Sequence, residues 1–148
     1  MKKALCAAAV LALFAINQAL AQQRPTYDAA IDLTRKMQEV ISATGVWHKK
    51  PPEARIKAAR DAEQLRLDIE KMLGASPVGE FGQCKVAASY METYVQNLNA
   101  LTLIVEGRRQ VTIPSDVMAP AFHAFHFGDA YRACQDSLEV LYVTPKKK

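Results

Sequence analysis

The apolar residues of this chain recur every three or four positions in four stretches, and glycine or proline separates each stretch from the next. This spacing places apolar side chains on one face of an α-helix, whereas a strand alternates at every second residue. The stretches span about residues 25–44, 52–73, 83–106 and 115–141, and the last of them begins either at residue 115 or just before Pro120. The short connections between these stretches are typical of helices that lie antiparallel to the next helix in the chain. The sequence therefore predicts an all-α bundle of about four helices in up-down-up-down order.

Single glycines and prolines predict where these helices begin and end. We expect Gly45 in the left-handed position after the first helix, with Val46 touching Ile41 as in a Schellman motif. Pro52 suits the first position of the second helix, and Gly107 ends the third. The second helix carries charges on most of its faces and only a narrow apolar stripe. A three-helix core with this helix loosely docked is therefore the alternative architecture.

Residues 1–21 have the pattern of a secretory signal peptide. Two lysines precede an uninterrupted apolar run at residues 4–16, and residues 19–21 form an Ala-Leu-Ala cleavage signal. The run is shorter than the ~18 to 20 residues that a membrane span needs. We therefore expect a periplasmic or secreted protein with one helical domain, residues 22–145, a basic tail, residues 146–148, and no transmembrane segment in the mature chain.

The positive charge of the whole chain comes from its two ends. The chain has a formal net charge of +4. Without residues 1–21 and 146–148 it contains fourteen basic and fifteen acidic side chains, a net charge of −1. Charges of both signs alternate along the second helix and form no single-sign face. We therefore expect no nucleic-acid partner, because binding a phosphate backbone needs a concentrated positive surface.

Cys84 and Cys134 are the two cysteines that remain once the signal peptide is removed. An even pair in an exported chain indicates a disulfide. Their midpoint, residue 109, lies in the connection between the third and fourth helices, so in an antiparallel hairpin both would lie at the same height. A redox-active pair or a metal thiolate site is the alternative, although redox motifs usually keep their cysteines close in sequence.

The fourth helix holds the most concentrated set of residues with functional chemistry. His123 and His126 lie three residues apart, and Asp129 follows at the same spacing. On a helix this spacing can present two imidazoles and a carboxylate to a metal ion. The pattern lacks the glutamate of the H-E-x-x-H zinc motif. The alternative is that both histidines belong to an aromatic cluster and bond to the backbone or to water.

Large apolar residues also occupy the other side of the fourth helix. Met118, Phe122 and Phe125 fall on the side opposite to the one that carries the cysteine. A helix that is apolar on two sides is either buried on both, with or without a bend, or leaves one side for a partner. Trp47, in the connection after the first helix, is a second candidate anchor for a partner. Its alternative role is to close one end of the bundle.

The sequence lacks the motifs of the common catalytic and cofactor sites. It contains no C-x-x-C-H haem motif, no glycine-rich phosphate loop and no G-x-S-x-G nucleophile motif. A haem held without covalent bonds by Met37 or Met72 and a histidine is a remaining alternative. We expect no cofactor and no enzymatic activity. The leading hypothesis is an adaptor that binds another periplasmic or envelope protein, and the alternative is a small-ligand or metal carrier that uses the His-x-x-His pair.

Overall fold

The computed structural model describes residues 25–74, 78–109 and 115–143, and every regular element in these ranges is helical. The elements are α1, Tyr27–Ser42; a 3₁₀ segment, Ala43–Lys49; α2, Pro52–Leu73; α3, Gly82–Val105; and α4, Ser115–Tyr142. The prediction of an all-α chain with four helices is therefore confirmed.

The predicted signal peptide, residues 1–21, and the basic tail, residues 146–148, lie outside the described residues. Among the helices that the structure describes, none is long and apolar enough to cross a membrane. The export signal and the up-down-up-down order of the helices stay predictions.

Local capping residues account for several of the helix boundaries. The hydroxyl of Thr26 accepts a hydrogen bond from the backbone N–H of Ala29 at 3.2 Å, which satisfies one of the free donors at the start of α1. Pro52 occupies the first position of α2, where its missing N–H is not needed. Gly74 ends the same helix with a φ of 82°.

The predicted Schellman motif at Gly45 is wrong. Gly45 does not have a positive φ, because the chain continues from α1 into the 3₁₀ segment, Ala43–Lys49, instead of stopping. Val46 is half exposed, whereas the segment carries Trp47 into the core. The chain thus keeps turning until the large apolar side chain of Trp47 is buried. The local sequence pattern does not reveal this continuation.

The Schellman motif occurs instead at Gly107, at the end of α3. Gly107 has a φ of 69°, and its N–H donates to the carbonyl of Ile104 at 2.9 Å. The N–H of Arg108 donates to the carbonyl of Leu103 at 2.8 Å. These two bonds satisfy carbonyls that would otherwise be free at the helix end.

The core is centred on α3, which contacts each of the other three helices, and its contact with α4 is the most extensive. Helix α2 makes the next most extensive contact with α3. Its residues Ala62 and Ile69 are fully buried, and Arg66 forms an ion pair with Glu92 of α3. The alternative of a loosely docked second helix is therefore wrong, because the narrow apolar stripe is enough to bury one face of α2.

Candidate functional site

A disulfide joins Cys84, near the start of α3, to Cys134, in the second half of α4. The two Cα atoms lie 4.5 Å apart, and both side chains are buried. The pairing that the sequence predicts is confirmed. Because the bridge holds one side of α4 against α3, it also determines which side of α4 faces away from the core.

Helix α4 is buried on one side and exposed on the other. The buried side consists of Phe127, Ala130, Cys134 and Leu138. Met118, Phe122 and Phe125 are 67%, 57% and 67% exposed, respectively. We call these three side chains the α4 surface. The alternatives in which both sides are buried, with or without a bend at Pro120, do not hold, because these side chains stay open to solvent.

Trp47 does not belong to this surface. Its side chain is only 6% exposed and is part of the hydrophobic core. This burial argues against the prediction that Trp47 is an anchor for a partner. A tryptophan buried in a segment between two helices matches the alternative role that the sequence offered, closing part of the bundle.

The two histidines of α4 lie in an aromatic cluster between the α4 surface and α3. The His126 ring stacks on Tyr90 of α3 at a centroid distance of 5.4 Å and meets the Phe122 ring edge-on at 4.2 Å. The His123 ring lies 6.0 Å from Tyr90 and 5.3 Å from Phe122. Both histidine rings therefore pack against Phe122 and connect it to α3, the helix that the disulfide links to α4.

His123 is the more perturbed of the two imidazoles. Burial lowers the pKa of His123 below its ordinary value of 6.5, and electrostatic repulsion between the two neighbouring imidazoles lowers it further. The buried Nδ1 atom of His123 has no hydrogen-bond partner among the described residues. These conditions favour the neutral imidazole at neutral pH.

The structure does not bring the predicted metal ligands together as a set of three. Asp129 accepts a hydrogen bond from Arg132 at 2.6 Å, on the solvent side of α4. In residues 25–74, 78–109 and 115–143, no three His, Cys, Asp or Glu side chains are placed to hold a metal ion. His123 and His126 are thus a pair of neighbouring imidazoles without a third protein ligand in the described ranges.

Tyr90 belongs to this cluster although its position in the sequence, at helical spacing with other apolar residues, is typical of a core residue. Tyr90 lies six residues after Cys84, and His126 lies eight residues before Cys134. The register set by the disulfide therefore places the two rings at nearly the same height. The register given by the two cysteines, extended along both helices, therefore predicts that Tyr90 and His126 lie opposite each other.

The described fold and site define a small, disulfide-linked helical protein whose last helix exposes an aromatic surface supported by two histidines. Comparison of the chain with protein-family models, with curated proteins and with solved structures finds no match.

Proposed function

We propose that the protein is exported and binds another envelope protein through the α4 surface, without catalysing a reaction. The signal-peptide pattern of residues 1–21 supports export. The disulfide supports it as well, because the reducing cytosol keeps most thiols from pairing, whereas the periplasm and the extracellular space let bridges persist.

Contacts between helix ends support the up-down-up-down order as part of this proposal. The start of α3 is bridged to the second half of α4 through Cys84 and Cys134. The hydroxyl of Tyr142, at the end of α4, donates to the carbonyl of Pro25, just before α1, at 2.6 Å. Such contacts between the start of one helix and the end of another are typical of antiparallel packing.

The observation that carries the binding proposal is the exposure of Met118, Phe122 and Phe125 on one side of α4. Aromatic residues and methionine are enriched where proteins bind each other. Removing one such side chain from water contributes roughly 1.5–3 kcal/mol. A contiguous group of three therefore favours a partner that covers it.

The packing beneath the α4 surface supports the same function. Phe122 rests edge-on against His123 and His126, and His126 stacks on Tyr90 of α3. Helix α3 is in turn fixed to α4 by the disulfide. A side chain that is already held in place loses less conformational entropy when it binds, so the aromatic cluster prepares Phe122 for a partner.

Site-specific photo-crosslinking in cells tests this proposal. A photoreactive phenylalanine analogue at Phe125 is expected to give an adduct with one envelope protein. The same analogue at Val140, an exposed residue near the other end of α4, is the matched control and is expected to give no such adduct. The same adduct from both positions, or an adduct of two copies of this chain, would contradict the proposal.

Substitutions on α4 and directly after its end provide the second arm of the test. The double variant Phe122→Asp, Phe125→Asp is expected to lose the captured protein, because carboxylates are poorly buried in an apolar contact. The double variant Val140→Asp, Val143→Asp introduces the same charges at exposed positions and is expected to retain it. Circular dichroism checks that both variants keep the helical content of the natural chain.

A further inference from the structure

A cavity of about 390 Å³ lies between α1, the 3₁₀ segment and α2, on residues that do not belong to the α4 surface. This volume lies within the range of pockets that bind small molecules. Its walls are mostly apolar and include Val40, Ala43, Ala54, Ala58 and Val95. The cavity is partly open to solvent and offers an apolar surface against which an apolar group can pack.

Small side chains account for the cavity. Ala43, Ala54 and Ala58 face it where larger residues would fill the space between α1 and α2. The contact between these two helices is also less extensive than that between α2 and α3. The cavity is therefore a consequence of side-chain volume at three positions, and a larger residue at any of them would reduce it.

Trp47 lines this cavity and contributes its ring to the wall. Its side chain is buried, and its Nε1–H donor forms no hydrogen bond with any described residue. A buried donor without an acceptor is unfavourable, and such groups in native proteins call for an explanation. This donor is inaccessible to solvent, so no group bound in the cavity reaches it, and Trp47 contributes only ring surface to the wall.

The charged residues that line the cavity leave one cation without a counter-ion. Lys57 forms an ion pair with Asp61 at 2.6 Å, and Glu39 pairs with an arginine of its own helix. Lys50 has no ion-pair partner in the part of the chain that the structure describes. Its backbone N–H donates to the carbonyl of Trp47 at 3.0 Å, so the turn holds the two residues close together.

We propose that this cavity binds a small amphipathic monoanion, consisting of an apolar body and one carboxylate group. The apolar body packs against the valine and alanine walls. The carboxylate pairs with the ammonium group of Lys50, and the apolar body also packs against the ring of Trp47. The carboxylates of Glu39 and Asp61 already have cationic partners, so the remaining unbalanced charge favours an anion over a cation. This proposal is independent of the binding of a protein to the α4 surface.

Tryptophan fluorescence provides a direct test, because Trp47 is the only tryptophan of the chain. Titrating the purified protein with decanoate is expected to change the emission of Trp47 in a saturable manner. Decanol has the same number of carbon atoms but no charge, and we expect it to bind at least about tenfold more weakly. The proposal is overturned if decanoate gives no saturable change or if decanol binds equally well.

A pair of lysine variants tests the role of Lys50. Lys50→Glu is expected to weaken decanoate binding at least about tenfold, since it replaces attraction by repulsion. Lys49→Glu makes the same change in charge at the neighbouring exposed residue, which does not line the cavity, and is expected to bind as the natural chain does. Equal weakening in both variants would show a non-specific charge effect and would overturn the proposal.

Filling the cavity tests its location. Ala58→Phe is expected to abolish the decanoate response while circular dichroism shows a folded protein. If Ala58→Phe does not fold, Ala54→Leu fills the same space with a smaller side chain and carries the same expectation. Unchanged decanoate binding in a folded, filled variant would overturn the assignment of the site.

Discussion

The guanidinium of Arg55 donates a hydrogen bond to Oε1 of Glu106 at 2.5 Å, and this ion pair joins the first part of α2 to the residue that follows α3. The Arg55 side chain is 4% exposed, whereas the Glu106 side chain is 35% exposed. The cation is thus buried and its partner lies at the surface. A buried charge that loses its partner is strongly unfavourable, so this pair contributes to the docking of α2 on α3.

Removing the carboxylate charge in Glu106→Gln is expected to lower the free energy of unfolding by about 1–3 kcal/mol. The Arg55 guanidinium stays buried in this variant but loses its counter-ion. Urea denaturation followed by circular dichroism measures the effect. Glu63→Gln, at an exposed position of α2, is the control and is expected to change stability by less than about 0.5 kcal/mol. Equal losses in the two variants would show that the ion pair is not important.

The disulfide is expected to contribute about 2–5 kcal/mol to stability, because it closes a long loop in the unfolded chain. The bridged residues are 50 positions apart in sequence. The double variant Cys84→Ala, Cys134→Ala should therefore unfold at a lower urea concentration than the natural chain. Adding reductant should destabilise the natural chain and leave the variant unchanged. A natural chain with free thiols by mass spectrometry would refute the bridge.

Stability is expected to fall as the pH falls, in part because of His123. Since burial lowers the pKa of His123 below 6.5, the unfolded chain binds a proton more readily than the folded one. Protonation therefore favours unfolding as the pH falls through 6.5 toward the lower pKa of the folded His123. His123→Gln should reduce the slope of unfolding free energy against pH. His48→Gln, at an exposed position, should retain it, because His123 is still present. An identical slope in natural chain and His123→Gln would disprove this explanation.

Two glycine substitutions distinguish the observed helix ends from the expected ones. An added Cβ meets no atom within 4 Å at either Gly45 or Gly107, so the two sites differ mainly in backbone conformation. Gly107→Ala should lower the free energy of unfolding by about 1–2 kcal/mol, since its φ is 69°. Gly45→Ala should leave the protein equally stable or raise stability by up to about 1 kcal/mol. Thermal denaturation of both variants measures the difference, and a larger loss for Gly45→Ala would contradict the structure.

Predictions of helix boundaries from local sequence rules agree with the structure at positions where a helix does begin or end. Pro52 begins α2 and Gly107 ends α3, because a missing N–H and a left-handed residue act within one helical turn. Gly45 differs because the chain there continues to turn and buries Trp47, which contacts residues distant in sequence. A glycine in such a position indicates only that a helix can end there.

The candidate site was predicted in part. Spacing alone placed Phe122 and Phe125 on the side of the helix opposite to Cys134, and the structure shows both exposed. The same spacing grouped His123, His126 and Asp129, but it did not show that Asp129 pairs with an arginine. Residue spacing predicts which side chains share one side of a helix. It does not predict their partners on other helices, because those depend on which side chains pack against them.

The sequence by itself determined the four helices and the pairing of Cys84 with Cys134, because apolar periodicity and the position of a turn are properties of the chain. Only the tertiary structure decided that Trp47 is buried and that a cavity remains beside it. The reason is that burial and empty space depend on the volumes of side chains from several helices at one point, and these side chains are distant in the sequence.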